Sequence, residues 1–182
     1  MSYESMTREQ LIVELEKKDK IIKNIAKCAN TDCLTSVLNR KRGLEYLYKE
    51  IELAKINKNK LTVGFADVNN LKYVNDNYGH ITGDYVLITL CNIIKDNIRK
   101  HDFIFRYGGD EFIIVLPNTN VEQSNMVWNR INHKIDEMSK EFKYEVGMSC
   151  GLVEYNEFYN KSLKDLIKMA DYRMYKSKSK IG

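Results

Sequence analysis

Hydrophobic positions in the first thirty residues repeat at heptad-like intervals. This segment contains neither Gly nor Pro and is rich in Glu and Lys. Lys18 interrupts the apolar series, which consists of Leu11, Leu15, Ile22, Ile25 and Ala29. Such spacing predicts an amphipathic helix that either lies on its own domain or forms a short parallel coiled coil with a second copy. We therefore assign residues 1–30 to an N-terminal signalling or coiled-coil helix.

From Leu61 onward, short apolar runs that suit strands alternate with longer amphipathic stretches that suit helices. Strands are predicted for LTVGFADV, DFIFRY, EFIIVLP and YEVGMSCGLVEY. Helices are predicted for NLKYVNDNYGH, TGDYVLITLCNIIKDNIRK, VEQSNMVWNRINHKIDEMSKEF and SLKDLIKMADYRMYKSKSK. The order β-α-α-β-β-α-β-α implies a sheet with antiparallel pairs and helices on its faces. Residues 31–182 are thus expected to form one α/β (α+β) domain.

Composition narrows the possible partners. A length of 182 residues suits one such domain plus the helical extension. The net charge of +4 is too mild for a duplex-DNA surface, so no nucleic-acid partner is expected, although a few lysines could hold a polyphosphate. The four cysteines are scattered, which suggests reduced thiols and a cytoplasmic location. No apolar run approaches the roughly 20 residues that span a bilayer. A sensor or membrane anchor is expected only outside this chain, which would then be the cytosolic part of a larger protein.

The stretch RYGGDEF, residues 106–112, places two acids at the tip of a predicted hairpin. Gly108 and Gly109 can adopt positive φ and would let a phosphate approach the backbone closely. If the strand that ends at Asp67 pairs beside the hairpin, three carboxylates meet at one sheet edge, together with Asp110 and Glu111. They would repel one another unless a divalent cation lies among them, and Mg²⁺ suits such oxygen donors. An ordinary exposed turn explains the glycines but not the acids.

Several ordered motifs resemble those of the GGDEF diguanylate cyclases. RYGGDEF carries the signature of that family, and the other similar stretches are TDCLTSVLNRKR, DVNNLKYVNDNYGHITGDYVL and MADYRMYKSK. The resemblance runs from about Thr31 to Lys178. It implies a sheet like the palm of nucleotide polymerases and cyclases. It also implies that two subunits, facing each other across a two-fold axis, join two GTP molecules into cyclic di-GMP and release two pyrophosphates.

The same resemblance assigns roles to individual positions. Metal would be held by Asp67, the backbone carbonyl of Val68, Asp110 and Glu111, with Mg²⁺ expected and Mn²⁺ as an alternative. Either Asp110 or Glu111 would favour deprotonation of the attacking 3′-hydroxyl. The remaining substrate contacts would come from Lys72 (catalytic, on the triphosphate), Asn75 and Asp84 (guanine), His80 (a further substrate contact), and Gly108, Gly109 and Lys178 (phosphates). Helix capping around Gly79 and Gly83, or a solvated surface for the lysines, is the alternative explanation.

A second site is implied upstream of the signature. Arg99 and Asp102 match an Arg-x-x-Asp pattern that binds cyclic di-GMP and inhibits many such enzymes, and Arg130 is expected to add a second arginine. Arg can bind phosphate or guanine bidentately, but Arg and Asp at this spacing are also a common surface pair.

The chain departs from the family pattern at three places. Cys33 and Ser36 replace the usual Pro and Gly, Asn69 replaces the commoner Asp, and the arginine expected after Lys178 is missing. The alternatives to an active cyclase are a silent cyclic di-GMP receptor, a structural dimerisation module, and a cyclase with a mixed guanine–adenine product.

Overall fold

The computed structural model describes residues 6–156 and 162–178, apart from the side chains of residues 23–28. Its elements are α1 (Arg8–Asn30), α2 (Arg40–Asn57), β1 (Leu61–Asn69), α3 (Leu71–Tyr78), α4 (His80–Asn97), β2 (Phe103–Arg106), β3 (Glu111–Pro117), α5 (Val121–Ser139), β4 (Gly147–Glu154) and α6 (Leu163–Lys178). From β1 onward this is the predicted order.

Helix α2 was not among the predicted elements. Its buried side chains include Leu47, Ile51 and Ala54, which recur at helical spacing on one face. The side chain of Asn39 caps its first turn by accepting a hydrogen bond from the Arg42 backbone amide at 3.0 Å. Both signals are present in the sequence, within and just after the motif TDCLTSVLNRKR.

The four strands form one antiparallel sheet in the order β2-β3-β1-β4. Strand β1 is therefore central, with β3 on one side and β4 on the other. The register of β1 on β3 runs from Leu61 opposite Pro117 to Asp67 opposite Glu111. The predicted fold class is confirmed, and the same register brings the end of β1 beside the hairpin.

The alternation of side chains along the strands divides the interior into two cores. Phe112 and Ile114 of β3 belong to the core beneath α3, α4 and α5. Ile113 and Val115 belong to the core on the opposite face, beneath α2 and α6. The sheet is therefore covered by helices on both faces, and its edges at the strand ends stay available for chemistry.

Helix α1 extends from this domain with much of its apolar surface uncovered. Ile12 is 46%, Leu15 66% and Ile22 63% exposed. Its C-terminal end is attached through Asn39, whose side-chain amide donates to the Ala29 carbonyl at 2.8 Å. The domain therefore does not cover these three side chains, and the coiled coil remains a prediction.

Two further expectations concern composition. Cys33, Cys91 and Cys150 are free thiols. None of the described helices is long and apolar enough to cross a lipid bilayer.

Candidate active site

The predicted acids meet at one edge of the sheet. Asp67 near the end of β1 lies opposite Glu111 at the start of β3. Asp110 precedes β3 directly, and its backbone carbonyl accepts a hydrogen bond from the Val68 amide at 3.1 Å. The β1–β3 register thus makes neighbours of the four residues named for metal binding. Along the chain, Asp67 and Val68 lie at least 42 positions before Asp110 and Glu111.

The local charge at this edge is strongly negative. Burial raises the pKa of Glu111, and the nearby carboxylates of Asp110, Asp67 and Asp171 raise it further, whereas Arg40 lowers it. Asp171 lies on α6 and received no role from the sequence. The signal for it was present in the Ala-Asp pair of MADYRMYKSK. The edge is therefore an environment that a cation would stabilise.

One cation is already provided by the chain. Lys178, the last residue of α6, donates a hydrogen bond from its ammonium group to Oδ1 of Asp67. The Asp67 side chain is only 14% exposed, so this ion pair is partly shielded from water. Lys178, which the sequence predicted for phosphates, is thus paired with a carboxylate that was predicted to bind metal.

The donor atoms at this edge suit a hard cation. They are carboxylate and carbonyl oxygens, and Mg²⁺ takes one or two carboxylates while water and phosphate complete its shell. Within residues 6–156 and 162–178, no three His, Cys, Asp or Glu side chains converge in a ligating arrangement. The residues therefore fit a metal that uses few protein ligands, such as Mg²⁺, better than one that requires a complete protein cage.

A cavity of about 300 Å³ opens beside the hairpin. It is lined by predicted guanine contacts and by the hairpin itself, namely Asn75, His80, Asp84, Arg106, Gly109 and Asp110. Gly83 is needed for this arrangement, because a Cβ there would lie 1.9 Å from Oδ1 of Asn75. Neither α3 nor α4 is capped at its start by a side-chain hydrogen bond, so capping does not account for these polar residues. Lys72 is exposed at the start of α3 and does not line the cavity.

The hairpin glycines differ from expectation. Among the described glycines only Gly79 has positive φ, so neither Gly108 nor Gly109 uses the left-handed conformation. The space around Gly109 is open, whereas a Cβ on Gly108 would lie 2.4 Å from Oε2 of Glu111. Gly108 therefore makes room for the Glu111 carboxylate, and the open face at Gly109 is compatible with the predicted phosphate approach.

Arg106 and Asp32 hold the hairpin in place, and sequence reasoning missed both. The Arg106 guanidinium donates to the carbonyl of Gly108 at 3.2 Å and to that of Gly109 at 2.6 Å. It also binds Asp32 at 3.0 Å. Burial disfavours the charge on Asp32, but hydrogen bonds from Thr35 and Arg106 outweigh it and lower the pKa of Asp32. Both residues lie in the quoted motifs, which was the only available signal.

The second predicted site is built locally. The Arg99 backbone amide donates to Oδ2 of Asp102 at 2.8 Å, and both residues line a cavity of about 320 Å³ together with Lys95 and Lys100. Burial raises the pKa of Asp102, although Arg99 opposes this shift. Arg130 does not line this cavity. Its guanidinium donates a hydrogen bond at 2.5 Å to the backbone carbonyl of Asn97, which is the last residue of α4.

Known proteins with similar sequences and folds show the family to which this chain belongs. The family model for the GGDEF domain of diguanylate cyclases matches residues 29–182. The chain is 38% identical over 148 residues to the uncharacterized protein YtrP of Bacillus subtilis. This alignment covers 81% of the present chain and 24% of YtrP. It is 37% identical over 138 residues to diguanylate cyclase A of Treponema denticola, covering 74% of this chain and 37% of that protein.

A solved structure gives the same result for the fold. The GGDEF domain of DgcB from Caulobacter crescentus, in complex with c-di-GMP, superposes with a TM-score of 0.77 at 25% identity, covering 83% of this chain and 91% of that one. This chain belongs to the GGDEF domain family. It spans between 24% and 37% of the length of the two curated relatives named above.

Proposed function

We propose that this chain is a diguanylate cyclase domain, which condenses two GTP molecules into cyclic di-GMP and two pyrophosphates. The observation that carries the proposal is the cavity beside the hairpin, because the predicted guanine contacts and Asp110 line the same space. A guanine base and the reacting phosphate of one nucleotide can therefore be held by one subunit. The family match and the diguanylate cyclase relative support this assignment.

Base recognition falls to three residues of the cavity. The Asp84 carboxylate can accept hydrogen bonds from guanine N1–H and from the exocyclic amine, a pair of donors that adenine does not present. Asn75 and His80 supply further polar contacts on the same wall. This favours two guanines in the product over a mixed guanine–adenine product.

Each 3′-hydroxyl attacks the α-phosphorus of the other GTP, and the bond from that phosphorus to the leaving pyrophosphate breaks. The proton of the hydroxyl passes to a carboxylate, either Asp110 or Glu111. Asp67, the Val68 carbonyl, Asp110 and Glu111 would hold Mg²⁺, or Mn²⁺ in its place. When bound, the metal neutralises phosphate charge and lowers the pKa of the hydroxyl. Lys72 and Lys178 reach the triphosphate and stabilise the charge that develops there.

The reaction needs two subunits, since each site holds one GTP and the attack crosses between them. The exposed apolar residues of α1 supply a surface for this pairing, and a sensor domain outside the chain would control it. Replacing Leu15 with Glu should lower both the dimer fraction and the rate of product formation. Because Leu15 is 66% exposed, the unfolding temperature of the domain should not change. Glu16→Ala is the matched control, and light scattering reports the dimer fraction.

The cavity at Arg99 and Asp102 supports product inhibition of this enzyme. It presents two further lysines, Lys95 and Lys100, which suit an anionic dinucleotide. A silent receptor would use the same residues, so this cavity by itself does not distinguish the two functions.

One assay separates the candidates. Purified protein at a high, dimer-favouring concentration is incubated with GTP, Mg²⁺ and an equal amount of ATP, and the products are identified by mass. Cyclic di-GMP as the main product supports the proposal. Binding of added cyclic di-GMP without turnover would establish the receptor function, and a mixed dinucleotide would contradict the assigned role of Asp84.

A further inference from the structure

The ion pair between Lys178 and Asp67 joins two oppositely charged residues of the proposed active site. Asp67 is a proposed metal ligand and Lys178 a proposed phosphate contact, yet in the structure they bind each other. We propose that Lys178 is an exchangeable stand-in for the metal. Its ammonium neutralises Asp67 in the free protein, and it moves to the triphosphate when a divalent cation takes its place. This inference rests on the proposed metal site.

Other cations near the hairpin are committed to different partners. The Arg106 guanidinium binds the hairpin carbonyls and Asp32. The Arg40 guanidinium lies over the Tyr107 ring, 4.2 Å from its centroid. Lys178 is attached by a long, flexible side chain at the end of a helix, and its side chain is 45% exposed. It can therefore change partner without a movement of the backbone.

A destination for the displaced ammonium lies close by. Lys178 also lines a mixed polar and apolar cavity of about 390 Å³, together with Asn69, Asn70 and Ser149 and with the acidic residues Asp136 and Glu145. Asn69 ends β1, and Asn70 connects it to α3. Phosphate oxygens that enter this space would meet Lys178, the lysine that lines it.

The exchange couples metal binding to nucleotide binding. Metal by itself must displace the ammonium from Asp67, and nucleotide by itself must draw Lys178 away and leave Asp67 unpaired. When both ligands bind, the ion pair is broken only once. The two ligands therefore bind better together than separately, and each raises the affinity of the other by the same factor.

The test compares Lys178→Gln with wild type and with Lys176→Gln, a matched control on the same helix whose ammonium lies over the Tyr172 ring. Mn²⁺ binding is measured by electron paramagnetic resonance, first without nucleotide. It is then repeated with a GTP analogue that has a methylene group between the α- and β-phosphorus and cannot react. In Lys178→Gln, the nucleotide-free affinity for Mn²⁺ should rise about fivefold. The coupling between Mn²⁺ and the analogue should fall by the same factor, and Lys176→Gln should match wild type.

The opposite results are equally clear. An unchanged or weaker nucleotide-free affinity for Mn²⁺ in folded Lys178→Gln overturns the inference and leaves Lys178 as a simple phosphate contact. Circular dichroism verifies the fold, and Lys178→Arg, which keeps the cation, should retain the coupling. If neither wild type nor Lys178→Gln binds Mn²⁺ with or without the analogue, the proposed metal site itself fails. These measurements require no turnover, so they remain informative if the cyclase assay is negative.

Discussion

Two sites combine carboxylates with basic side chains, but the chain builds them in different ways. One is the proposed catalytic edge, formed by Asp67, Asp110, Glu111 and Lys178, and the other is the Arg99–Asp102 pocket. At the catalytic edge, Lys178 and Asp67 are 111 residues apart in the sequence and meet through helix docking and strand pairing. In the pocket, Arg99 and Asp102 are three residues apart and are held by a local turn. The first site needs the sheet register and the docking of α6. In the second site one local turn between α4 and β2 holds the Arg99–Asp102 pair, although Thr31, Ser36, Val37 and Leu38 also line its cavity.

This difference has consequences for how each site tolerates change. The register that places Asp67 opposite Glu111 also assigns the buried apolar side chains of β1 and β3 to their two cores, so the catalytic edge cannot shift without disrupting the interior. The local pocket can lose a side chain while the sheet stays intact. Catalysis and feedback should therefore be separable by mutation.

The largest effect is expected from Asp110→Asn. The substitution removes a metal ligand and a candidate base, so the rate of cyclic di-GMP formation should fall at least about a thousandfold. The unfolding temperature of the metal-free protein should not fall, because repulsion with Glu111 is reduced. Product quantification by mass and a thermal melt test both statements. Substantial retained activity would remove Asp110 from the proposed site.

Arg99→Ala should weaken product inhibition without changing the catalytic rate. Loss of a charged, bidentate contact should weaken inhibition by cyclic di-GMP about ten- to hundredfold. The initial rate should stay within about twofold of wild type, because the local pocket lies outside the catalytic edge. Initial rates and full time courses with added product provide the measurement. A parallel loss of initial rate would show that the two sites are not independent.

Asp32→Asn tests the support of the hairpin. Its carboxylate is partly buried against Arg106, and the substitution should lower the free energy of unfolding by about 1 kcal/mol at neutral pH. The folded-state pKa of Asp32 lies below the ordinary value of 3.8, so the stabilisation is present above pH 3.8 and is lost as pH falls through the folded-state pKa. Urea unfolding at several pH values should show the difference from wild type shrinking in acid.

The exposed Asp136→Asn on α5 is the control for that experiment. It should leave the free energy of unfolding nearly unchanged at every pH. A deficit in Asp32→Asn that does not depend on pH would contradict the ionic role of Asp32.

The smallest effect is expected from Arg130→Gln. Its guanidinium is engaged with the Asn97 carbonyl at the end of α4, so the substitution should reduce stability by about 0.5 kcal/mol. Inhibition by cyclic di-GMP should change less than about threefold. Isothermal calorimetry with cyclic di-GMP measures the affinity. A loss of cyclic di-GMP affinity as large as that expected for Arg99→Ala would show that Arg130 belongs to the product site.

Local patterns predicted much of this molecule. The strands from β1 onward and their helices follow from short-range periodicity, and the pair Asp110 and Glu111 follows from the signature stretch. Helix α2 could have been predicted from its apolar spacing. Gly108 and Gly109 can adopt positive φ, but neither does so in the structure, because turn composition does not specify which backbone conformation the strands and Arg106 impose.

The sequence by itself determined the order of elements, the fold class and the identity of the acids, since these depend on neighbouring residues. Only the tertiary structure decided which charge meets which. It pairs Lys178 with Asp67 and Arg106 with Asp32, and it brings Asp171 towards Glu111. These partners are distant along the chain, and their meeting depends on strand register and on the docking of α6 against the sheet. Both are set by packing of the two cores, which no local pattern encodes.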